Sequence, residues 1–274
     1  MRPLVMGVLN VTPDSFSDGG QFFSHDAAVA HGLEMAAEGV DVVDVGGESS
    51  RPGAEPVAEP EELRRVIPVI EALSPHVRVS VDTTKAPVAE AAVRAGATLV
   101  NDISASLHEV AAAEGVGWVA MHMRGTPRTM HHDPRYDDVV GEVVAFLEER
   151  AERALAAGVS EVWVDPGIGF GKTAEHNLSL LRHLGRLVAG GHPVLIGTSR
   201  KSFLGRLVER EPVPLPPEER LPGSIATAVW AMANGAGMVR VHDVAPALQA
   251  AKVVGEDPEA GRVPDSGDAL VGEG

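Results

Sequence analysis

The sequence predicts an α/β fold, a single (β/α)8 TIM barrel with its active site at the C-terminal ends of the strands. Three observations carry this. Eight short apolar runs rich in β-branched residues punctuate the chain, helix-like stretches alternate with them, and the length of 274 residues suits one such barrel. The runs are Leu4–Leu9, Val40–Val45, Val77–Val81, Thr98–Val100, Trp118–Met121, Val162–Val164, Val194–Ile196 and Met238–Val241. Near-continuous apolar character over so few residues marks strands buried on both faces, as in a parallel sheet. An open doubly wound sheet is the competing fold, but it usually has fewer strands and a glycine-rich turn after the first.

Between the runs, Leu63, Val66, Ile67, Ile70 and Leu73 recur at helical spacing. Pro87 fits a first helical turn and Gly96 a helix end, bracketing Val88–Ala95. Val139–Ala157 reads as a long amphipathic helix closed by Gly158. Asn177–Val188 and Ser224–Ala233 follow the same pattern. Residues 1–254 are expected to form the barrel. Glu211–Pro217 reads as an exposed proline-rich loop, and 255–274 as a flexible tail rich in Gly, Asp, Glu and Pro.

Composition excludes several function classes. The chain has no cysteine, so disulfides, Cys-ligated zinc, Fe–S clusters and thiol catalysis are out. Its formal charge is −16, which argues against binding a nucleic-acid backbone. No apolar run approaches the ~18 residues of a membrane span. The expected setting is therefore the cytoplasm, with no membrane partner. An anionic substrate would need a local cationic site built against the global field.

The loops that follow barrel strands form the active face. The first run leads to Asn10 and then Asp14–Gly20, the second to Glu48-Ser-Ser50-Arg51-Pro52-Gly53, the third to Asp82 and the fourth to Asn101-Asp102. His122 follows the fifth, Asp165–Lys172 the sixth and Gly197-Thr-Ser199-Arg-Lys201 the seventh, while Arg240-Val-His242-Asp243 ends the eighth. Polar residues after all eight strands of one barrel point to an enzyme. Asp82, Asn101 and Asp165 offer carboxylate and amide groups that suit a planar heterocycle with several N–H donors, and Lys201 can donate to a ring oxygen or nitrogen. Arg51, Arg240 and His242 supply positive charge and donors for phosphate. Met121 and Met123 flank His122 and suit either a flat apolar ligand or core packing.

Other motifs fail. Gly171-Lys172-Thr173 resembles the end of a phosphate loop, but its first glycine would fall at Pro166. Gly167, Gly169 and Gly171 miss the dinucleotide fingerprint because Lys172 stands at its third glycine position. Ser199 lacks the second glycine of a nucleophile elbow. His122, His131 and His132 lack zinc-site spacing, and the last two read as exposed loop residues.

The segments Met6–Gly20, Asp44–Ala54, Asn101-Asp-Ile-Ser, Met121-His-Met-Arg-Gly, Asp165–Lys172, Gly197–Phe203, Gly223-Ser-Ile-Ala and Arg240-Val-His-Asp243 occur in this order. Together they resemble the signatures of dihydropteroate synthases. The resemblance runs from about Pro3 to Val253; where that family usually has Thr, this chain has Ser50, which keeps the hydroxyl.

The resemblance implies a TIM barrel, a homodimer, and condensation of (7,8-dihydropterin-6-yl)methyl diphosphate with 4-aminobenzoate to 7,8-dihydropteroate and diphosphate. This is a folate-synthesis step that sulfonamides inhibit competitively. It implies Mg²⁺ on Asn10, and diphosphate held by Asn10, Ser50, Arg51, Arg240 and His242. It places the pterin on Asp82, Asn101, Asp165, Phe170 and Lys201, and 4-aminobenzoate near Phe16, Arg51, Pro52 and Ser199. Asp82, Lys201, Arg240 and His242 become the expected catalytic set, acting by dissociative substitution. Three alternatives stay open: a methyltransferase barrel using a methylated pterin, a non-catalytic pterin-binding paralogue and a metal hydrolase.

Overall fold

The computed structural model describes residues 2–12, 25–49, 53–207 and 215–255. Eight strands appear: β1 (Leu4–Asn10), β2 (Val42–Gly46), β3 (Arg78–Asp82), β4 (Leu99–Asp102), β5 (Gly117–Met121), β6 (Val162–Asp165), β7 (Leu195–Ile196) and β8 (Met238–Val241). Each coincides with one of the eight apolar runs. They lie in the order β6-β5-β4-β3-β2-β1-β8-β7, with every pairing parallel. A single parallel bridge, Val164 to Val194, joins β6 to the residue before β7 and closes the barrel.

The helices are α1 (His25–Glu38), α2 (Glu59–Leu73), α3 (Ala86–Arg94), α4 (His108–Glu114), α5 (Val139–Ala157), α6 (Ala174–Arg182), α7 (Leu184–Val188), α8 (Ser202–Leu207), α9 (Leu221–Ala233) and α10 (Val244–Gly255). Helix α5 has the expected limits. It starts because the Asp138 carboxylate accepts from the amides of Val140 at 3.1 Å and Gly141 at 3.0 Å. The expected helix over 177–188 is two pieces. Thr173 caps α6 earlier, and the chain breaks at His183, whose Nδ1 contacts the Ser179 carbonyl at 2.9 Å. Gly255 belongs to α10, so the expected tail loses its first residue to the barrel, and 256–274 lie outside the described residues. Of the expected loop at 211–217, Leu215 and Pro216 are irregular and Pro217 opens a 3-10 turn to Arg220.

Alternate residues of each strand point to opposite faces. One set meets the helices in the main apolar core. The other fills the barrel axis with Met6, Val42, Leu99, Val119, Trp163, Leu195 and Met238, from seven different strands. Two residues further along, β2, β4, β5, β6 and β8 carry Asp44, Asn101, Met121, Asp165 and Arg240. The apolar plug thus forms a floor, and the next inward layer above it is largely polar.

Candidate active site

Asp82, Asn101, Asp165, Phe170, Lys201 and Arg240 line one cleft of about 330 Å³ at the C-terminal mouth. Ile103, Met121 and Ile168 supply its apolar wall. A second hollow of about 290 Å³ shares Asp82 and Ile103 and is bordered by Glu48, Glu62 and Lys85.

The cleft's charges are tied together. Arg240 donates from Nε to Asp44 Oδ2 at 2.6 Å and from Nη2 to Asp82 Oδ2 at 2.8 Å. Asn101 Nδ2 donates to the same Asp44 oxygen at 2.8 Å. Asp44 is fully buried, and its Oδ1 has no hydrogen-bond partner among the described residues. Burial pushes the Asp82 carboxyl up to about 7, aided by Asp44 and Glu62 and opposed by Arg240 and Lys201. Burial likewise raises Asp165, against the Gly167 amide that donates to its Oδ1 at 2.7 Å. Lys201 is lowered to about 8 by burial and by Arg240, with Asp165 and Asp82 opposing. Its ammonium sits 4.0 Å from the centre of the Phe170 ring, within cation–π range.

His242 does not carry the positive charge expected from its place beside Arg240. Burial, then Arg240, Arg200 and Lys201, push its imidazole down to about 3, so it is neutral near pH 7. Ser199 Oγ accepts from the His242 amide at 3.1 Å and contacts its Nδ1 at 3.1 Å. Ser199 is buried, with its hydroxyl turned to this histidine.

Asn10 ends β1, in register with Gly46, which pairs in turn with Asp82. Among the described residues no group of three or more His, Asp or Glu could hold a metal ion. Asn10 offers one side-chain oxygen, a hard donor of the kind Mg²⁺ takes, so the described residues fit a largely hydrated ion and not a protein cage. Phe16, Ser50, Arg51 and Pro52 lie outside the described residues, as does the 14–20 loop.

Met121 lines the cleft and also packs with Phe170 and Met130. His131 and His132 are exposed. Two features escaped the sequence reading. Asp44 stands among valines inside a strand, and that lone charge in an apolar run was the available signal. Lys172, in a segment that fails as a phosphate loop, is buried against His122.

The family described as pterin binding enzyme matches residues 6–242. The chain is 47% identical to dihydropteroate synthase of Mycobacterium leprae, an alignment covering 92% of each chain. It is 46% identical to that of Synechocystis, over 92% of this chain and 89% of the relative. Among solved structures, the Xanthomonas albilineans dihydropteroate synthase with 4-aminobenzoic acid superposes with a TM-score of 0.84 at 50% identity, covering 92% of both chains. The Yersinia pestis dihydropteroate synthase in a sulfonamide drug complex gives 0.85 at 46% identity, covering 92% of this chain and 93% of the other. A barrel whose mouth gathers two carboxylates, an amide and a lysine around one cleft, with this likeness over nearly its whole length, belongs to the dihydropteroate synthase family of pterin-binding enzymes.

Proposed function

We propose that the 330 Å³ cleft receives the pterin ring of (7,8-dihydropterin-6-yl)methyl diphosphate. The observation that carries this is the convergence of Asp82, Asn101, Asp165 and Lys201, from four different strands and loops, on one cleft walled by Phe170 and Met121. A carboxylate accepts two parallel N–H bonds from an amino-pyrimidinone edge, and the amide and ammonium complete the match. The diphosphate is assigned by the resemblance to Arg240 and His242, together with Asn10, Ser50 and Arg51. His242 serves there as a neutral donor. When the Ser199 hydroxyl donates to Nδ1, Nε2–H is left for a phosphate oxygen. The assigned 4-aminobenzoate subsite comprises Phe16, Arg51, Pro52 and Ser199.

In the reaction, the C–O bond from the methylene carbon to diphosphate breaks and the bonding pair leaves with diphosphate. The arylamine lone pair then forms the new C–N bond, and the amine loses a proton to solvent. The arylamine is neutral at pH 7, so the departure is the demanding step. Arg240 and the His242 donor stabilise the developing negative charge. Mg²⁺ held by Asn10 and the substrate would supply further charge neutralisation there. The Asp82 carboxylate faces the positive charge that the ring and methylene share in a dissociative transition state. Competitive inhibition by sulfonamides, a homodimeric assembly and a cytoplasmic location complete the reading by resemblance to the family. No helix among the described residues is long and apolar enough to cross a membrane.

The test is diphosphate release by purified protein with the pterin diphosphate and Mg²⁺, with and without 4-aminobenzoate. Release that requires 4-aminobenzoate and yields dihydropteroate supports the reading. Pterin binding without turnover overturns it in favour of a non-catalytic paralogue.

A further inference from the structure

The Gly171-Lys172-Thr173 segment has no place in the reaction, yet it is built with care. Lys172 is 3% exposed. Its ammonium lies 2.9 Å from His122 Nδ1, 3.0 Å from the Phe170 carbonyl, 3.1 Å from the Gly167 carbonyl and 3.3 Å from the His122 carbonyl. An ammonium has three donors and no acceptor, so a shell made only of acceptors fits it. His122 must turn an unprotonated Nδ1 to it, and burial together with Lys172 pushes that imidazole down to about 3. Burial also pulls the Lys172 amine down to about 7, with Asp165 opposing, so its N–H donors and not a fixed charge are what the shell holds.

The backbone is shaped around this donor. Gly167 and Gly171 both take φ of +63°. A Cβ at Gly167 would fall 1.9 Å from the His122 carbonyl oxygen, and one at Gly171 would fall 2.3 Å from that of Arg124. Glycine at these two sites lets the loop press onto the end of β5. The loop then aims inward the Phe170 carbonyl and the Gly167 carbonyl, the latter also accepting from the Phe170 amide at 3.0 Å. Buried carbonyl groups converging on one point are unfavourable unless a donor or cation satisfies them. The other side of the same loop presents Asp165, Ile168 and Phe170 to the cleft, with Lys201 over the Phe170 ring. Immediately after Lys172, Thr173 caps α6.

We propose that the Lys172 amine is an internal hydrogen-bond donor that holds the 165–172 loop in its ligand-ready shape. It is a positioning residue that acts on the cleft through Asp165 and Phe170 without touching substrate. The inference rests on reading the cleft as the pterin site, and it adds a residue to that site from outside its lining.

The experiment measures binding of 6-hydroxymethylpterin by calorimetry to the full chain and to Lys172→Met and Lys172→Ala. Both variants are expected to bind about tenfold or more weakly, as when buried acceptors lose their donor. Propylammonium carries the atoms that Lys172→Ala removes beyond Cβ. It is expected to restore binding to that variant, whereas tetramethylammonium, which has no N–H, is not. Wild-type binding by Lys172→Met, or a loss in Lys172→Ala that propylammonium leaves unchanged, overturns the proposal.

Should the lysine variants not fold, the histidine decides. His122→Asn keeps an acceptor near the Nδ1 position and is expected to bind like the wild type, while His122→Leu binds more weakly. Equal affinities in these two overturn the proposal. Wild-type turnover, assayed alongside, separates this outcome from failure of the functional reading. A wild type that neither binds nor turns over pterin defeats that reading, whereas an active wild type with indifferent variants defeats only the role given to Lys172.

Discussion

Arg240 Nε donates to Asp44 Oδ2 at 2.6 Å, joining residues 196 positions apart in the chain. The carboxylate is fully buried and also holds the Asn101 amide. One hidden acid therefore orients a residue assigned to the pterin and another assigned to the diphosphate. Asp44→Asn keeps the shape and removes the charge. It is expected to cost about 3 kcal/mol of stability, since the buried Arg240 loses one of its two carboxylate partners and keeps only Asp82, while Asn101 loses a charged acceptor. Urea unfolding measures the cost, and KM for the pterin diphosphate is expected to rise with it.

Asp82 is the residue assigned to cation stabilisation. Asp82→Asn is expected to lower kcat by about 10²-fold or more while weakening pterin binding much less, the pattern of an interaction made in the transition state. Rapid-quench kinetics beside calorimetry separates the two effects, and an unchanged kcat removes Asp82 from this role.

The same group predicts a pH dependence. Its carboxyl is raised to about 7 by burial, Asp44 and Glu62, against Arg240 and Lys201. The ionised form is the one assigned to catalysis. In the free enzyme, kcat/KM for the pterin diphosphate should fall about tenfold per unit as pH drops below that value. Substrate titration persists in Asp82→Asn, so the part of the limb missing from that variant belongs to Asp82.

Arg240→Met tests the diphosphate assignment. Affinity for the pterin diphosphate is expected to fall about tenfold more than affinity for 6-hydroxymethylpterin, as expected when a charge-assisted contact to phosphate is removed. The ratio of the two losses cancels the shared effect of freeing Asp44 and Asp82. Equal losses for both ligands contradict the assignment.

His122 and His242 shape the acid limb of stability. Both are held neutral, at about 3, below the 6.5 of a free histidine. Between these values the unfolded chain binds more protons. Their contribution is therefore full above pH 6.5 and is lost as pH falls toward 3, with a slope of at most about 1.4 kcal/mol per pH unit for each. Thermal unfolding of His122→Asn at pH 4 to 7 is expected to show a shallower limb by one proton. An unchanged slope refutes the neutral assignment of His122.

Much of this protein was legible before any coordinates. Apolar runs such as Val162–Val164 announce strands buried on both sides, and eight of them alternating with helices leave few architectures. Asp82, Asn101, Asp165 and Arg240 stood out because charge or amide at the end of an apolar run lies where a barrel opens. Helix α5 could be bounded to the residue because Asp138 and Gly158 are local caps. Signals of this kind travel only a few residues along the chain.

What the tertiary structure decided depends on closing the barrel. The partner of Asp44 comes from the eighth strand, and that of Lys172 lies 50 residues back in sequence. No local pattern specifies either contact. Closure also sets the dielectric surroundings, and so turns His242 from an expected cation into a neutral donor. The residue types and strand periodicity fixed which groups could face the axis. Burial and neighbours from distant strands fixed their charge and their partners, because both depend on the low-dielectric interior that exists only once the eight strands meet.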